Sequence, residues 1–170
     1  MCCTEEAHAA PILEIFNEAI ANSTAIYEYA PRTARTIAEW FAGKRDGGQP
    51  VIGLVDAAGR LVGFGTYGTF RARPAYKYTV EHSLYVHKDW RGRGLGTQIL
   101  RELIGLARRD DVHVMIGGID AANRASIALH ERLGFRLAGT IKESGFKFGR
   151  WLDLAFYDLI LDTPRQPIDG

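Results

Sequence analysis

Residues 81–97, with the sequence EHSLYVHKDWRGRGLGT, constrain the fold of this chain more than any other stretch. Apolar and polar residues alternate over residues 80–86, as in a half-buried strand, and apolar residues recur at helical spacing over residues 95–107. The glycines at 92, 94 and 96 between them allow a tight turn with inward-pointing N–H groups. Because the positive end of the following helix adds to these amides, the turn predicts a phosphate-binding site.

Two common glycine-rich phosphate motifs do not account for this turn. A Walker-type loop ends in Gly-Lys-Ser/Thr, whereas Gly96-Thr97-Gln98 has no lysine. A dinucleotide fingerprint occurs literally at residues 63–68, GFGTYG, but the following residues 70–74, FRARP, are interrupted by proline and predict no helix. Nucleotide hydrolysis and dinucleotide binding are therefore both disfavoured.

A third pattern fits better and has support downstream. Arg91-x-x-Gly94-x-Gly96 after a strand resembles the turn with which GNAT N-acetyltransferases hold the pyrophosphate of acetyl-CoA. The segment NRASIALHERLGF at residues 123–135 is similar to the second GNAT signature, in which an asparagine starts a helix that ends at Gly-Phe. Asn123 is a favourable N-cap and Gly134 a favourable residue just after a helix, so the local physics agrees with the resemblance.

Four further segments narrow the resemblance. They are NSTAIY at 22–27, TVEHSLYV at 79–86, HVMI at 113–116 and KFGRWLD at 147–153. Together they resemble the phosphinothricin and methionine-sulfoximine acetyltransferase branch of the GNAT superfamily. The similarity spans roughly residues 8–161.

Composition and length set broader limits. A chain of 170 residues with 46% hydrophobic residues is expected to form one domain, here residues 1–162, followed by a flexible tail at 163–170. A net charge of +1 does not suit nucleic-acid binding. No apolar run approaches the ~18 residues of a membrane span, and the first residues lack a signal-peptide core. We therefore expect a cytoplasmic protein without a membrane partner.

The order of predicted elements indicates an α/β fold. Strands are predicted at residues 51–55, 61–67, 79–86, 112–117, 136–143 and 152–161, with helices before the first strand, after the glycine-rich turn and after Asn123. This order predicts a mixed twisted sheet with about four helices, as the GNAT acyl-CoA N-acyltransferase fold implies. Residues 36–39, TIAE, suggest a capping box for the second helix. The family's opening edge strand has little counterpart in residues 1–6 and is expected to be stunted or missing.

The resemblance assigns the coenzyme to specific residues. It implies that acetyl-CoA lies along the strand at residues 84–86, with its pyrophosphate on the turn that follows and its pantetheine arm near Asn123. The cofactor-binding residues implied in this way are Leu84, Tyr85, Val86, Arg91, Gly92, Arg93, Gly94, Leu95, Gly96, Thr97, Asn123 and Ser126. A central structural strand is the alternative reading of residues 84–86.

Glu81 is the candidate general base, because an amine must lose a proton before it attacks a thioester. The alternative is a solvated strand residue. For the neighbouring His82 a supporting hydrogen bond and a buried structural role both stay open. His130 stands where many GNAT enzymes have a tyrosine that returns a proton to the thiolate, so it is a candidate general acid or, alternatively, a helix-surface histidine.

Basic residues are the candidates for substrate recognition. Arg71 and Arg73 precede the Glu81 strand, and an arginine fork matches the carboxylate of an amino acid. Lys147 belongs to a final hairpin that resemblance places at the amino-acid pocket and possible dimer interface. Its aromatic residues, Phe146, Phe148 and Trp151, predict burial against a second subunit, and hence a homodimer.

These residues predict direct transfer of acetyl from acetyl-CoA to the α-amine of a small amino-acid analogue. Phosphinothricin, methionine sulfoximine and methionine sulfone are the substrates that the family suggests. Two alternatives remain: acetylation of a polyamine or protein N-terminus, and a non-catalytic coenzyme A sensor. No metal is expected, because the five histidines show no metal-ligand spacing.

Overall fold

The computed structural model describes residues 1–169. The helices are α1 (Glu5–Asn22), α2 (Ala34–Asp46), α3 (Leu95–Arg109) and α4 (Arg124–Arg132). The strands are β1 (Val51–Val55), β2 (Leu61–Thr69), β3 (Thr79–Val86), β4 (Val114–Asp120), β5 (Arg136–Lys147) and β6 (Arg150–Ile160). They form one sheet in the order β1-β2-β3-β4-β6-β5, in which β3 and β4 are parallel and β1–β2, β4–β6 and β5–β6 are antiparallel. The predicted α/β architecture with a mixed sheet is confirmed.

The chain divides into two compact units that alternate along the sequence. The first unit comprises Met1–Thr66 with Ser83–Leu100, and the second comprises Tyr67–His82 with the chain from Arg101 onward. Strands β2 and β3 and helix α3 each pass from one unit into the other.

The core of the first unit is formed around α1. Its buried stripe consists of Ile12, Ile15, Phe16, Ala19 and Ile20. Each large side chain in such a stripe contributes roughly 1.5–3 kcal/mol by leaving water. Phe16 contacts Phe64 edge-on at 4.9 Å between ring centroids and Tyr85 at 5.1 Å. This aromatic packing fixes α1 against β2 and the end of β3.

The start of α2 differs from the predicted capping box. Thr33 is the N-cap, and its hydroxyl accepts from the N–H of Thr36, whose own hydroxyl accepts from the N–H of Thr33. The prediction that Thr36 and Glu39 form the capping box was wrong, because the box begins three residues earlier, at Thr33. Glu39 instead forms an exposed ion pair with Arg35. Threonine at both positions makes the two registers hard to separate in the sequence.

The N-terminal edge strand is stunted, as expected. Cys2 forms a single antiparallel bridge with Ile52, supported by hydrogen bonds from Cys3 N–H to the Val51 carbonyl and from Gly53 N–H to the Met1 carbonyl. Helix α1 begins at Glu5, directly after its N-cap Thr4.

The second unit is built around β4, β6 and β5. Phe148 and Gly149 connect β5 and β6, and both have positive φ values, 51° and 72°. Nearly every residue of β5 is exposed. Near the C-terminus, the Thr163 hydroxyl donates to the Val112 carbonyl, and the Ile168 N–H donates to the Tyr78 hydroxyl. The flexibility expected for residues 163–170 stays a prediction, and Gly170 lies outside the residues that the structure describes.

Across residues 1–169, the helices include none with the length and apolar character that a bilayer crossing requires.

Candidate functional site

The glycine-rich turn lies in the first unit and leads directly into α3. Gly92 and Gly94 have φ values of 76° and 79°, in the left-handed region that favours glycine. The N–H of Gln98 bonds to the Gly94 carbonyl at 3.2 Å, which closes the first turn of the helix. The amides of Leu95, Gly96 and Thr97 therefore belong to the helix N-terminus, where N–H groups lack intrahelical acceptors. The turn has the form of an anion-binding site.

The two arginines of the turn are both engaged with the protein. Arg91 Nη2 forms an ion pair with Glu18 of α1, and its Nε donates to the Val86 carbonyl at 3.2 Å. The Arg93 guanidinium lies 4.7 Å from the Trp90 ring centroid, and Nη2 donates to the Asp89 carbonyl at 3.1 Å. The structure therefore places Arg91 as a link between elements, which the sequence did not predict.

The strand segment before the turn is held close to β2. A Cβ at Gly63 would lie 3.1 Å from the Tyr85 carbonyl oxygen and 3.5 Å from Val86 Cα. A residue with a side chain at this position of β2 would therefore push β3 away. On the other side, the parallel ladder of β3 with β4 covers Thr79↔Val114 to Glu81↔Ile116. Residues 84–86 thus follow the end of that ladder.

Glu81 lies at the end of this ladder in the second unit, with its side chain accessible from one face of the sheet. A Cβ at Gly118 would approach Glu81 Oε1 to 3.2 Å, so the bare glycine provides room for the carboxyl group. Partial burial raises the pKa of Glu81, and the positive charge of Arg71 opposes that rise. A carboxylate with a raised pKa is a stronger base, as proton abstraction from an amine requires.

His82 and His130 form a buried pair. Their Nε2 atoms are 2.9 Å apart, and the side chains are only 6% and 4% exposed. Phe135 lies against both rings, at 5.3 Å and 5.1 Å between centroids. A Cβ at Gly117 would lie 2.9 Å from His82 Cε1 and 3.1 Å from His130 Nε2. The pair therefore depends on glycine at this position of β4.

The hydrogen bonds of His130 define how the protons are arranged. His130 Nδ1 lies 2.7 Å from the Ser126 carbonyl, which only accepts, so Nδ1 carries the proton. In the neutral ring, Nε2 then accepts from His82 Nε2–H. Burial lowers the pKa of His82, and His130 lowers it further; burial also lowers the pKa of His130. Both rings are thus neutral at neutral pH, and the helix-surface reading of His130 was wrong.

Helix α4 positions His130 through its first turn. The Asn123 side chain accepts from the Ser126 N–H at 3.1 Å, which confirms the predicted N-cap. The carbonyl of the same Ser126 accepts from His130. Gly134 then ends the helix region with a φ of 91°, as predicted. Asn123, Ser126 and His130 thus share one hydrogen-bonded segment.

The candidate substrate residues also lie in the second unit. Arg71 stacks on Phe70 at 4.5 Å from the ring centroid and acts electrostatically on Glu81. Arg73 is exposed and precedes the short 3-10 turn Pro74–Tyr76. Lys147 is buried at the end of β5, with Nζ 5.0 Å from the Phe148 ring centroid. Of the two arginines, Arg71 is the one whose charge acts on Glu81.

Comparisons with known proteins identify the family of the chain. Residues 12–135 match the sequence profile of the acetyltransferase (GNAT) family, and the chain belongs to that family. It is an acetyltransferase. A relative from Pseudomonas paraeruginosa strain PA7, an L-methionine sulfoximine/L-methionine sulfone acetyltransferase, is 46% identical over 91% of this chain and 90% of its own. An L-amino acid N-acyltransferase from Escherichia coli K12 is 40% identical over 95% and 94% of the two chains.

A solved structure extends the similarity to three dimensions. The phosphinothricin acetyltransferase from Sinorhizobium meliloti, determined in complex with acetyl-CoA, superposes with a TM-score of 0.94 at 36% identity. The match covers 98% of this chain and 90% of the other. The fold expected from the sequence is confirmed over nearly its whole length.

Proposed function

We propose that the protein transfers the acetyl group of acetyl-CoA to the α-amine of a small amino-acid analogue such as methionine sulfoximine, methionine sulfone or phosphinothricin. The observation that carries the proposal is a partly buried carboxyl group, Glu81, that lies within the electrostatic influence of Arg71. An amino acid presents an amine beside a carboxylate, and this pair offers a base for the first and a cation for the second. The substrates named for the relatives from Pseudomonas paraeruginosa and Sinorhizobium meliloti belong to this chemical class.

In this proposal the coenzyme occupies the turn and the end of β3. The pyrophosphate binds the amides of residues 92–97, and the pantetheine arm follows residues 84–86. The end of the β3–β4 ladder at Glu81 supports this path, because the following residues do not continue that ladder. A backbone N–H of residues 84–86 then faces the thioester oxygen and stabilises the charge that develops there.

The substrate nitrogen loses two protons in this reaction. The Glu81 carboxylate takes the first from the ammonium, the neutral nitrogen attacks the thioester carbon, and the C–S bond breaks to release the thiolate, which takes up the second proton as the amide forms. Protonation of that thiolate is assigned to His130. Because His130 Nε2 already accepts a hydrogen bond from His82, the histidine pair has to take up the second proton before His130 can pass it to the sulfur. A coenzyme A thiolate is also a good leaving group without such help.

Arg71→Ala should raise the Michaelis constant for methionine sulfone by about 10- to 100-fold, because a charge-assisted pair with the α-carboxylate contributes about 1.5–3 kcal/mol. Steady-state kinetics of thiol release measures the effect. The decarboxylated amine of the same side chain is the control: it should be a poor substrate for the native enzyme and lose nothing further in the variant. Equal losses for both substrates would contradict the assignment.

Lys147 is assigned to the polar sulfoximine or phosphinate end of the substrate.

A panel of amines tests the proposed substrate class. Thiol release from acetyl-CoA is measured with methionine sulfoximine, methionine sulfone, phosphinothricin, a polyamine and a peptide N-terminus. The proposal expects the amino-acid analogues to react best. Preference for the polyamine or the peptide would support the alternative acceptors, and no turnover with any amine would support a coenzyme A sensor.

We also propose that the protein is a cytoplasmic homodimer. Phe146, Phe148 and Trp151 at the β5–β6 hairpin are 46%, 57% and 60% exposed, which is more apolar surface than a solvated hairpin requires. Light scattering at micromolar concentration should give twice the mass of the chain. Trp151→Lys should shift the equilibrium toward the monomer. A monomer mass for the native protein would contradict the proposed dimer.

A further inference from the structure

Helix α1 contributes two acidic side chains to the region around the glycine-rich turn. Glu14 and Glu18 are four residues apart and lie on one face of the helix. Glu18 pairs with Arg91, and Glu14 Oε1 lies 3.5 Å from His87 Nε2. Both partners belong to the segment that connects β3 to α3. Glu14 and Glu18 lie outside both sequence signatures of the family, whereas Arg91 belongs to the first of them.

Arg91 is the centre of the link. One side of its guanidinium contacts Glu18, and Nε donates to the carbonyl of Val86, the last residue of β3. The Glu18 side chain is only 18% exposed, whereas that of Arg91 is 47% exposed. A carboxylate this sheltered is less screened by water than a surface pair, so the contact fixes the position of Arg91 more strongly.

The segment that connects β3 to α3 is held by local hydrogen bonds on either side of Arg91, from the Trp90 N–H to the His87 carbonyl and from Arg93 to the Asp89 carbonyl. Gly92 and Gly94, on the far side of Arg91, have positive φ values and the wide conformational freedom of glycine. His87, on the near side, is tied to β2 by its N–H bond to the Val62 carbonyl at 2.9 Å. Arg91 is thus the last residue before these two glycines whose side chain contacts both α1 and β3.

We infer that Glu18 is a positioning residue for the coenzyme turn, and that Arg91 acts there as a clamp between α1, β3 and the turn. The inference rests on the proposed placement of the acetyl-CoA pyrophosphate. It changes the role of Arg91, which the sequence assigned to direct contact with the coenzyme. Neutralisation of the pyrophosphate then falls to the helix N-terminus and Arg93.

The two roles of Arg91 predict opposite effects when Glu18 is removed. If Arg91 binds the pyrophosphate directly, Glu18 competes for it, and Glu18→Ala should tighten acetyl-CoA binding. If Arg91 is a clamp, loss of Glu18 leaves the turn to be ordered on binding. Affinity should then fall by about 3- to 10-fold, as expected from the cost of immobilising one or two side chains.

The test measures acetyl-CoA dissociation constants by calorimetry for the native protein, Glu18→Ala, Arg91→Ala and the double variant. The clamp predicts weaker binding in each single variant and no further loss in the double variant. Glu5→Ala is the matched control, because Glu5 also lies on α1 and pairs with Arg45 at 2.7 Å, away from the turn. It should leave the affinity unchanged.

A second readout separates positioning from general damage to the fold. Acetyl-pantetheine lacks the pyrophosphate, so its turnover should be the same in Glu18→Ala and the native enzyme. Glu18→Gln should restore part of the acetyl-CoA affinity, because an amide oxygen still accepts from Arg91. Tighter or unchanged acetyl-CoA binding in Glu18→Ala would overturn the clamp. Failure of the native protein to bind acetyl-CoA would instead overturn the proposed function.

Discussion

Glu81→Gln is expected to lower the turnover number by about 10²–10⁴-fold and to leave the dissociation constant of acetyl-CoA unchanged. Glutamine keeps the size of the side chain beside Gly118 but cannot accept the proton of the substrate ammonium. The loss should therefore appear in kcat, measured by thiol release at saturating coenzyme, and not in coenzyme binding.

The pH dependence of the same pair of proteins gives an independent check. Burial raises the pKa of Glu81, so in the native enzyme the active carboxylate is lost as the pH falls through that raised value. In Glu81→Gln the inflection at the Glu81 pKa should vanish, and only the rise of the residual rate with deprotonation of the substrate amine should remain. Glu102→Gln on the exposed face of α3 is the control and should behave as the native enzyme. Near-native turnover of Glu81→Gln at neutral pH would make Glu81 an ordinary strand residue.

Gly94→Val is expected to weaken acetyl-CoA binding by at least about 10²-fold. Gly94 has a φ of 79°, where a β-branched residue is strained, so valine forces the turn away from the arrangement that directs its amides inward. Calorimetry of acetyl-CoA binding measures the loss, and circular dichroism should show that the variant keeps its fold.

The chain provides a closely matched control for this substitution. Gly59, in the turn between β1 and β2, also has a φ of 79°, and a Cβ at either glycine meets nothing within 4 Å. Gly59→Val therefore imposes the same backbone strain outside the coenzyme turn. It should lower stability similarly and leave acetyl-CoA affinity intact. Equal affinity losses in the two variants would show that the turn has no special role.

The parts of the site that are local in sequence were predictable. The strand, turn and helix around residues 80–107 follow from hydrophobic periodicity and glycine spacing. Asn123 as N-cap and Gly134 after α4 follow from capping preferences, because these depend on the nearest backbone groups alone. The capping box of α2 was misplaced since Thr33 and Thr36 both suit an N-cap.

The contacts that the sequence did not predict join distant residues. His82 on β3 and His130 on α4 are 48 residues apart in the sequence, and Gly117 on β4 gives the two rings room to meet. Gly117, at the end of the strand predicted over residues 112–117, was the available signal, since a strand glycine often marks a close approach. The pairing of Glu18 with Arg91 depends on where α1 lies, which periodicity does not define.

The most direct test of acetyl transfer to the α-amine is to identify the product. The native protein is incubated with acetyl-CoA and L-methionine sulfone, and the amino acid is analysed by mass spectrometry with fragmentation. We expect one acetyl group on the α-nitrogen, formed together with one equivalent of free coenzyme A, and far slower formation by Glu81→Gln. Acetylation at another atom, or no product from any amino-acid analogue of the panel while acetyl-CoA still binds, would contradict it.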